Sequence, residues 1–167
     1  MAYNLSNYYL VLGTNGNNYN IQGSEDPNKG DYIKAGAGTD YIYANAGNDI
    51  VHGGWGNDFI SAGAGDDHIY GDAGNDTLRG DAGADWFRFT ISNGNDNVVD
   101  LRPAEGDVWS LYGINMSAVH YIDYGSSTIV QLDGYKDTIT FWNIEPQALQ
   151  AALVQTTEAY DWGGVLI

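Results

Sequence analysis

The sequence predicts an all-β fold, in which two parallel sheets wind as a flattened right-handed coil, followed by a β-rich region with one short helix. A nine-residue period and an excess of turn-forming residues support this prediction. The 167 residues include 23 glycines and 18 aspartates but only four glutamates, and glycine and aspartate favour turns over helices. Hydrophobic residues make up 43% of the chain, which argues against disorder. The length suits one compact domain.

The nine-residue unit explains how such a coil forms. Six consecutive units run without a gap from residue 35 to residue 88. In each unit the fourth position is Gly, the sixth is Asp and the eighth is apolar, as in Gly56, Asp58 and Ile60. Weaker copies occupy 13–21, 26–34 and 91–99. The first six positions form a turn and the last three a short strand. Because one such strand cannot bury its apolar residue alone, the stacked units must share an internal apolar row.

The sixth-position aspartates are the candidate metal ligands. Stacked turns place them in a ladder along each edge of the coil, where unpaired carboxylates repel one another and exposed carbonyls lack donors. Ca²⁺ removes both problems because it takes about six to eight oxygen ligands, whereas Mg²⁺ requires strict octahedral geometry. The alternative is a metal-free glycine-rich solenoid, which leaves the regular aspartates without a counter-ion.

Units two apart share an edge, so the pattern predicts pairs of ligands and about five or six ions. The predicted carboxylate ligands are Asp31, Asp40, Asp49, Asp58, Asp67, Asp76, Asp85 and Asp96. The predicted pairs are Asp31/Asp49, Asp49/Asp67 and Asp67/Asp85 on one edge, with Asp40/Asp58, Asp58/Asp76 and Asp76/Asp96 on the other. Carbonyl ligands are expected near Gly36, Gly38, Asn45, Gly47, Gly54, Gly56, Gly63, Gly65, Asp72, Gly74, Asp81 and Gly83.

The unit Gly53-Gly54-Trp55-Gly56-Asn57-Asp58-Phe59-Ile60-Ser61 resembles the calcium-binding nonapeptide of the repeats-in-toxin (RTX, hemolysin-type) family. The resemblance covers 26–99 and implies a calcium-stabilised parallel β-roll with Ca²⁺ as its cofactor. The flank after residue 96 is similar to that of secreted metalloproteases and of the R-modules of alginate epimerases. The family also implies export by a type I secretion apparatus, to the outside or the cell surface of a Gram-negative-type bacterium.

The resemblance divides the chain into an N-terminal capping segment (1–25), the RTX roll (26–99) and a C-terminal cap (100–167). Strands are expected at 119–124, 127–132 and 137–142, and a short helix at 145–153. The tail, Asp161 to Ile167, ends in three apolar residues behind an acidic one. It is similar to an uncleaved type I secretion signal, and the alternative is a last strand of the cap.

Several function classes are excluded by composition and motifs. A net charge of -16 excludes a nucleic-acid binder, because nothing neutralises a run of phosphates. The absence of cysteine excludes disulfides and thiolate metal sites. No apolar run approaches the roughly 20 residues of a membrane span, and residues 1–12 lack the pattern of a cleaved signal peptide. We find no zinc-protease, serine-elbow or phosphate-loop motif. The chain is therefore predicted not to be an enzyme, with no catalytic residues.

The outward positions of the strands offer a candidate ligand face. One face gathers Tyr32, Lys34, His52, His68, Tyr70, Trp86 and Arg88, and the other carries Tyr41, Tyr43, Phe59, Ser61, Thr77 and Arg79. Aromatic rings with sparse cations suit sugar rings, and the epimerase R-modules that this chain resembles bind a polyuronate. The alternative is an ordinary strand surface.

Three function hypotheses follow. The first is a secreted calcium-binding module that folds on calcium outside the cell. The second is a calcium-dependent module that binds an extracellular polysaccharide on the first face. The third is the non-catalytic part of a secreted enzyme.

Overall fold

A computed structural model describes residues 8–90, 94–112, 119–132 and 136–154. Within these ranges the chain forms 14 strands and one short helix. The strands are β1 (Tyr8–Leu12), β2 (Ile21–Gln22), β3 (Gly30–Ala37), β4 (Tyr41–Tyr43), β5 (Ile50–Trp55), β6 (Phe59–Ala64), β7 (His68–Ala73), β8 (Thr77–Ala82), β9 (Trp86–Thr90), β10 (Asp96–Val98), β11 (Val108–Tyr112), β12 (Val119–Asp123), β13 (Ser127–Leu132) and β14 (Thr138–Trp142). The helix α1 spans Pro146–Ala151.

Successive strands alternate between two sheets. Sheet A has the order β1-β3-β5-β7-β9-β11, and sheet B has the order β12-β13-β14-β10-β8-β6-β4-β2. The strands from β1 to β11 pair in parallel, and β14 joins β10 in parallel as well. The predicted all-β roll with one short helix is confirmed.

The core is a single file of eighth-position side chains between the sheets. Ile60 and Ile69, in consecutive units and opposite sheets, are both fully buried. The fully buried members of this file are Ile33, Ile42, Val51, Ile60, Ile69, Leu78, Phe87 and Val98. The internal apolar row expected from the period is confirmed.

The strands are longer than the period predicted. We expected three strand residues in each unit, but β5 continues from Ile50 into the next unit as far as Trp55. Gly54 pairs with Gly36 on one side and with Asp72 on the other, so the ladder continues through the start of the turn. The first position also points inward, as fully buried Ala62 shows. The part of each unit outside the strands is therefore short, and the sixth-position aspartates in it are buried.

A small antiparallel cap closes the C-terminal end. The strand β13 pairs antiparallel with both β12 and β14, and α1 begins at Pro146 with Glu145 as its N-cap. The indole Nε1 of Trp109 donates to the carbonyl of buried Leu149 at 2.8 Å, which fixes α1 to the end of sheet A. The predicted cap strands and helix are confirmed, with the helix ending two residues earlier. The tail 161–167 lies outside the described residues, and the division into three regions stays a prediction.

Candidate metal site

The turns have the backbone conformation that the glycines predicted. At the second and fourth positions φ is positive, for example 104° at Gly54 and 125° at Gly56. Three second positions carry another residue, and they adopt the same left-handed region: φ is 77° at Asn45, 66° at Asp72 and 68° at Asp81. Asn and Asp tolerate this region better than other side chains. The departures from glycine therefore leave the turn intact.

The structure brings together every predicted pair of sixth-position aspartates. In each pair the backbone N–H of the first residue donates to Oδ1 of the second, as Asp40 does to Asp58 at 2.8 Å. The other pairs are Asp31–Asp49 (2.6 Å), Asp49–Asp67 (2.7 Å), Asp58–Asp76 (2.8 Å), Asp67–Asp85 (3.1 Å) and Asp76–Asp96 (3.0 Å). One carboxylate oxygen of each acceptor thus holds adjacent turns in register.

The other carboxylate oxygen has no such partner. Seven buried oxygens accept no hydrogen bond within the described ranges: Oδ1 of Asp31 and Oδ2 of Asp40, Asp49, Asp58, Asp67, Asp76 and Asp85. A buried carboxylate oxygen without a donor is costly. A hard cation is the partner that suits a row of such oxygens beside backbone carbonyls. The residues present therefore fit calcium.

First-position glycines leave room beside three of these oxygens. A Cβ placed on Gly53 would lie 2.6 Å from Oδ2 of Asp58, and one on Gly71 would collide with Oδ2 of Asp76. Gly80 stands in the same relation to Asp85. At these three positions the carboxylate oxygen occupies space that a methyl group would take, whereas Ala occupies the first position in the units that begin at 35, 44 and 62.

Burial shifts the titration of the ladder. It raises the pKa of Asp67 to about 8, against the partly compensating hydrogen bond from Asp49, and the nearby charges of Asp49 and Asp85 raise it further. Burial likewise raises the pKa of Asp76 to about 8. The same cause raises the pKa of Asp58 to about 6 and that of Asp49, Asp85 and Asp96 to about 7. A cation and protons therefore compete for these oxygens near neutral pH.

The ladder ends at a residue that sequence reasoning missed. Asp107 is buried, and its Oδ1 accepts from the N–H of Asp85 at 3.0 Å. Its Oδ2 accepts from the N–H of Arg102 at 2.7 Å, so both oxygens are used by the backbone. The signal was present, since Gly106-Asp107-Val108-Trp109 repeats the pattern of Gly30-Asp31-Tyr32-Ile33. Asp107 therefore closes the ladder with a hydrogen-bonded carboxylate.

A comparison with protein families identifies the repeats. Residues 28–60 and 52–87 match the model described as RTX calcium-binding nonapeptide repeat. These residues are RTX repeats. RTX nonapeptides bind calcium, so the part of the roll that these residues form is a calcium-binding β-roll.

Two solved structures are among those that match this chain. The crystal structure of extracellular lipase LipA from Serratia marcescens is 12% identical over 89% of this chain, with a TM-score of 0.42, and the chain spans 40% of the lipase. The solution structure of the AlgE6R3 subunit from the Azotobacter vinelandii mannuronan C5-epimerase is 21% identical over 92% of this chain and 88% of that one, with a TM-score of 0.44. The comparison with curated proteins finds no match.

The fifth positions form a second, exposed ladder beside the sixth-position aspartates. The Asp66 N–H donates to Oδ1 of Asn48 at 3.1 Å, and Oδ1 of Asp66 accepts from the N–H of Ala84 at 2.9 Å. Asn57 and Asn75 make the equivalent contacts on the other edge. The sequence gives little warning of this ladder, because the fifth position varies among Thr, Asn, Asp and Ala. Its side chains fix turn-to-turn register without burying charge.

The seven residues of the predicted ligand face lie together on sheet A and pack on one another. The His52 ring stacks on Tyr70 with centroids 4.3 Å apart, and Nδ1 of His52 lies 3.0 Å from Oδ2 of Asp72. The Arg88 guanidinium lies 3.8 Å from the centre of the Trp86 ring, and Arg88 is only 8% exposed. Tyr32 contacts the edge of His52, and Lys34 lies over Tyr32.

His68 is the remaining residue of the predicted ligand face. Burial, with a smaller contribution from the positive charge of Arg88, lowers the pKa of His68 to about 4. The imidazole is therefore neutral at pH 7 and adds no positive charge to the face. Lys34 is the exposed cation of the seven.

Two further observations limit what the site can be. In the described part of the chain, no three His, Cys, Asp or Glu side chains converge in a way that could hold a metal ion. Each candidate site therefore has two carboxylates at most and needs backbone carbonyls for the remaining ligands.

Of the described helical residues, no stretch is long and apolar enough to cross a membrane.

Proposed function

We propose that the chain is a secreted module whose RTX roll folds when it binds about five or six calcium ions outside the cell. The observation that carries the proposal is the row of seven buried carboxylate oxygens without a hydrogen-bond partner in the described structure. Each ion would lie between successive turns of one edge, bound by the paired aspartates and by carbonyls of the second and fourth positions. The module has a structural and binding role, and it is not itself catalytic.

Charge explains why folding depends on calcium. The chain has a net charge of -16. Along each edge, the backbone N–H of one sixth-position aspartate donates to the carboxylate of the next, so the carboxylates lie close together. Without a cation, folding must bury these charges or protonate them. At free calcium about 100-fold above Kd, each independent site stabilises the folded state by about 2.7 kcal/mol. Several sites together reach the typical stability of a domain, about 5–15 kcal/mol.

Calcium dependence also explains a route to the outside. Cytosolic free calcium lies far below the Kd of extracellular sites, which is about 0.1–1 mM. The newly made chain therefore stays unfolded inside the cell and can pass through the type I secretion apparatus. It folds on meeting extracellular calcium, outside the cell or at its surface.

The test is a calcium titration of the chelator-treated protein. We expect circular dichroism to show a coil in chelator and a cooperative gain of β signal with calcium, and calorimetry to count about five or six ions. Mg²⁺ at the same concentration is the matched control and should produce little β signal. A native spectrum in excess chelator, or equal folding with Mg²⁺, would refute the proposal.

A second candidate function is polysaccharide binding on sheet A. The observation that favours it is the continuous packing of Tyr32, His52 and Tyr70 beside the exposed Lys34. A polyuronate is the expected ligand, because Lys34 offers a charge partner. Binding of polyguluronate to the calcium-loaded protein, lost in Lys34→Gln and Tyr32→Ala, would support this function. Unchanged binding in both variants would exclude it. A third option is that the module is the non-catalytic part of a secreted enzyme.

A further inference from the structure

The opposite sheet presents a second group of aromatic side chains, and these are more exposed. Tyr19 is 73% exposed, Tyr41 is 39% exposed and Tyr43 is 37% exposed, with half-buried Phe59 between them. Tyr41, Tyr43 and Phe59 lie on the outward side of the neighbouring strands β4 and β6, and Tyr19 lies in the segment that leads into β2. We call these four residues the aromatic strip.

The four rings form one continuous surface along the axis of the roll. Tyr19 and Tyr41 stack with centroids 6.2 Å apart and ring planes 27° apart, and Tyr41 and Phe59 repeat the arrangement at 6.1 Å and 29°. Tyr43 packs against Phe59 at 5.9 Å. The strands beneath are held by parallel pairing on both sides, so the rings are pre-positioned. Continuous exposed apolar surfaces of this kind mark binding sites more often than isolated residues do.

The outward residues beside the rings carry no charge of their own. They are Asn20, Gln22 and Ser61; Gln22 Nε2 donates to Oδ1 of Asn20 at 3.0 Å, and Ser61 Oγ donates to Oδ2 of Asp81 at the border of the strip. Moving along the sheet toward its C-terminal strands, the first outward charge is Arg79, which is paired with Asp81. In a chain with a net charge of -16, a neutral area of this extent is a distinctive chemical feature. It offers ring faces and edges together with amide donors and acceptors.

Charge decides between the possible occupants. A second copy of the calcium-loaded chain is also negatively charged, because about five or six Ca²⁺ ions would offset about 10 to 12 of the 16 net negative charges and leave about -4 to -6, and nucleic acids and anionic lipids are also repelled. An uncharged polysaccharide meets no such repulsion. The C–H groups of its sugar rings pack on aromatic side chains, and its hydroxyls hydrogen-bond to amides and to tyrosine hydroxyls.

We propose that the aromatic strip binds an uncharged polysaccharide. This site differs from the candidate face on sheet A in both its position and its charge, since that face carries Lys34 and Arg88. It rests on the proposed function only in that the roll must be folded with calcium. Failure of folding is visible by circular dichroism before any glycan is added, so the two proposals fail separately.

The experiment measures binding of the calcium-loaded protein to neutral probes. Cellohexaose, xylohexaose, maltohexaose and chitohexaose are titrated by calorimetry, with polyguluronate as the anionic probe. We expect at least one neutral probe to bind. Tyr41→Ala should weaken that binding about tenfold or more, as the loss of a central aromatic contact does. Tyr41→Phe should retain most of the binding, because the ring remains.

The matched control is Trp55→Ala. Trp55 is 74% exposed and lies off the aromatic strip, at a third position where the other five units carry Ala. Its removal should leave glycan binding unchanged. Circular dichroism in calcium confirms that each variant is folded, and Tyr43→Gln provides a second strip variant if Tyr41→Ala does not fold.

Four outcomes would overturn the proposal. They are no binding of any neutral probe, binding of polyguluronate alone, equal losses in Trp55→Ala and Tyr41→Ala, and concentration-dependent self-association that Tyr41→Ala abolishes. The last would assign the strip to a second copy of the chain.

Discussion

The backbone N–H of Asp49 donates to Oδ1 of Asp67 at 2.7 Å, while Oδ2 of Asp67 is buried and accepts no hydrogen bond from any described residue. One carboxylate therefore serves two purposes. Its first oxygen fixes the register of two turns, and its second is available to a cation. The same division recurs along both edges of the roll, which couples the alignment of the repeats to their charge.

The first prediction concerns pH in the absence of calcium. Burial raises the pKa of Asp67 and Asp76 to about 8 and that of Asp49, Asp85 and Asp96 to about 7. Unfolded aspartates titrate near 3.9, so between these values the folded chain binds more protons than the unfolded chain. The free energy of unfolding therefore falls as pH rises from about 4 to about 8.

Circular dichroism of the calcium-free chain between pH 8 and pH 4 would measure this trend, because a chain that is a coil near neutral pH in chelator should gain β signal as the pH falls. His68 opposes it, because its pKa is lowered to about 4 and its contribution is lost as pH falls below 6.5. One histidine is outweighed by five aspartates. With calcium present the sign reverses, since deprotonation favours metal binding. A β signal in chelator that is stronger at pH 8 than at pH 5 would contradict the burial of the ladder.

The second prediction is that Asp58→Asn has opposite effects with and without calcium. Asp58 belongs to two predicted ion sites, and its Oδ1 accepts from the N–H of Asp40. An asparagine keeps that hydrogen bond but removes a charged ligand. Calcium affinity should fall about tenfold or more, whereas the calcium-free chain should gain its β signal at a higher pH than the unsubstituted chain does, because a buried charge is removed.

The matched control is Asp66→Asn at the exposed fifth position. Asparagine occurs there in other units, and it can still accept from the N–H of Ala84. The change should alter stability by less than about 0.5 kcal/mol in either condition. Calcium titration by calorimetry, and circular dichroism in chelator as the pH is lowered, give the comparison for both variants. Equal effects from Asp58→Asn and Asp66→Asn would mean that the sixth position is not the metal ladder.

The third prediction places the end of the ion row. Both oxygens of Asp107 accept backbone hydrogen bonds, from Asp85 and Arg102, so Asp107 lacks the unpartnered oxygen that marks the candidate ligands. Asp107→Asn should therefore leave the number of bound ions unchanged while costing about 1–3 kcal/mol, because one buried N–H loses its acceptor. Asp85→Asn, one turn earlier, should reduce the number of ions. Native mass spectrometry in calcium would count them, and loss of an ion in Asp107→Asn would extend the row by one site.

The repeat period is what made most of the fold and ladder predictable. A strict spacing of nine residues specifies which side chains point inward and which turns are adjacent, so the pair Asp58/Asp76 follows from counting alone. Asp107 lies 22 residues after Asp85, whereas the regular pairs are 18 residues apart. The intervening loop interrupts the nine-residue period, so the period does not predict the pairing of Asp85 with Asp107.

Side-chain burial on the outer faces was harder to predict. The period identified Arg88 as outward-facing, which is correct, yet its guanidinium lies 5.6 Å from the centre of the Tyr70 ring on the neighbouring strand, and the residue is nearly buried. Such packing depends on which rings meet across strands that are 18 residues apart. The pattern within one unit contains no information on that contact. For the same reason, the greater exposure of Tyr41 and Tyr43 on sheet B became visible only in the folded chain.

The last prediction tests the cap. Trp109 is fully buried at the end of sheet A, where its ring lies 5.0 Å from that of Phe141 and its Nε1 donates to the carbonyl of Leu149. Trp109→Phe keeps an aromatic ring but leaves that buried carbonyl without its donor and opens a small cavity. We expect a loss of about 2–4 kcal/mol from these two effects together. Trp142→Phe is the control, because Trp142 is 41% exposed and its replacement should cost less than about 1 kcal/mol. Urea denaturation in saturating calcium measures both.

If the cap stabilises the roll, Trp109→Phe will also raise the calcium concentration needed for folding, since weaker docking of α1 must be offset by ion binding. Equal, small losses in the two variants would show that the roll folds independently of its C-terminal helix.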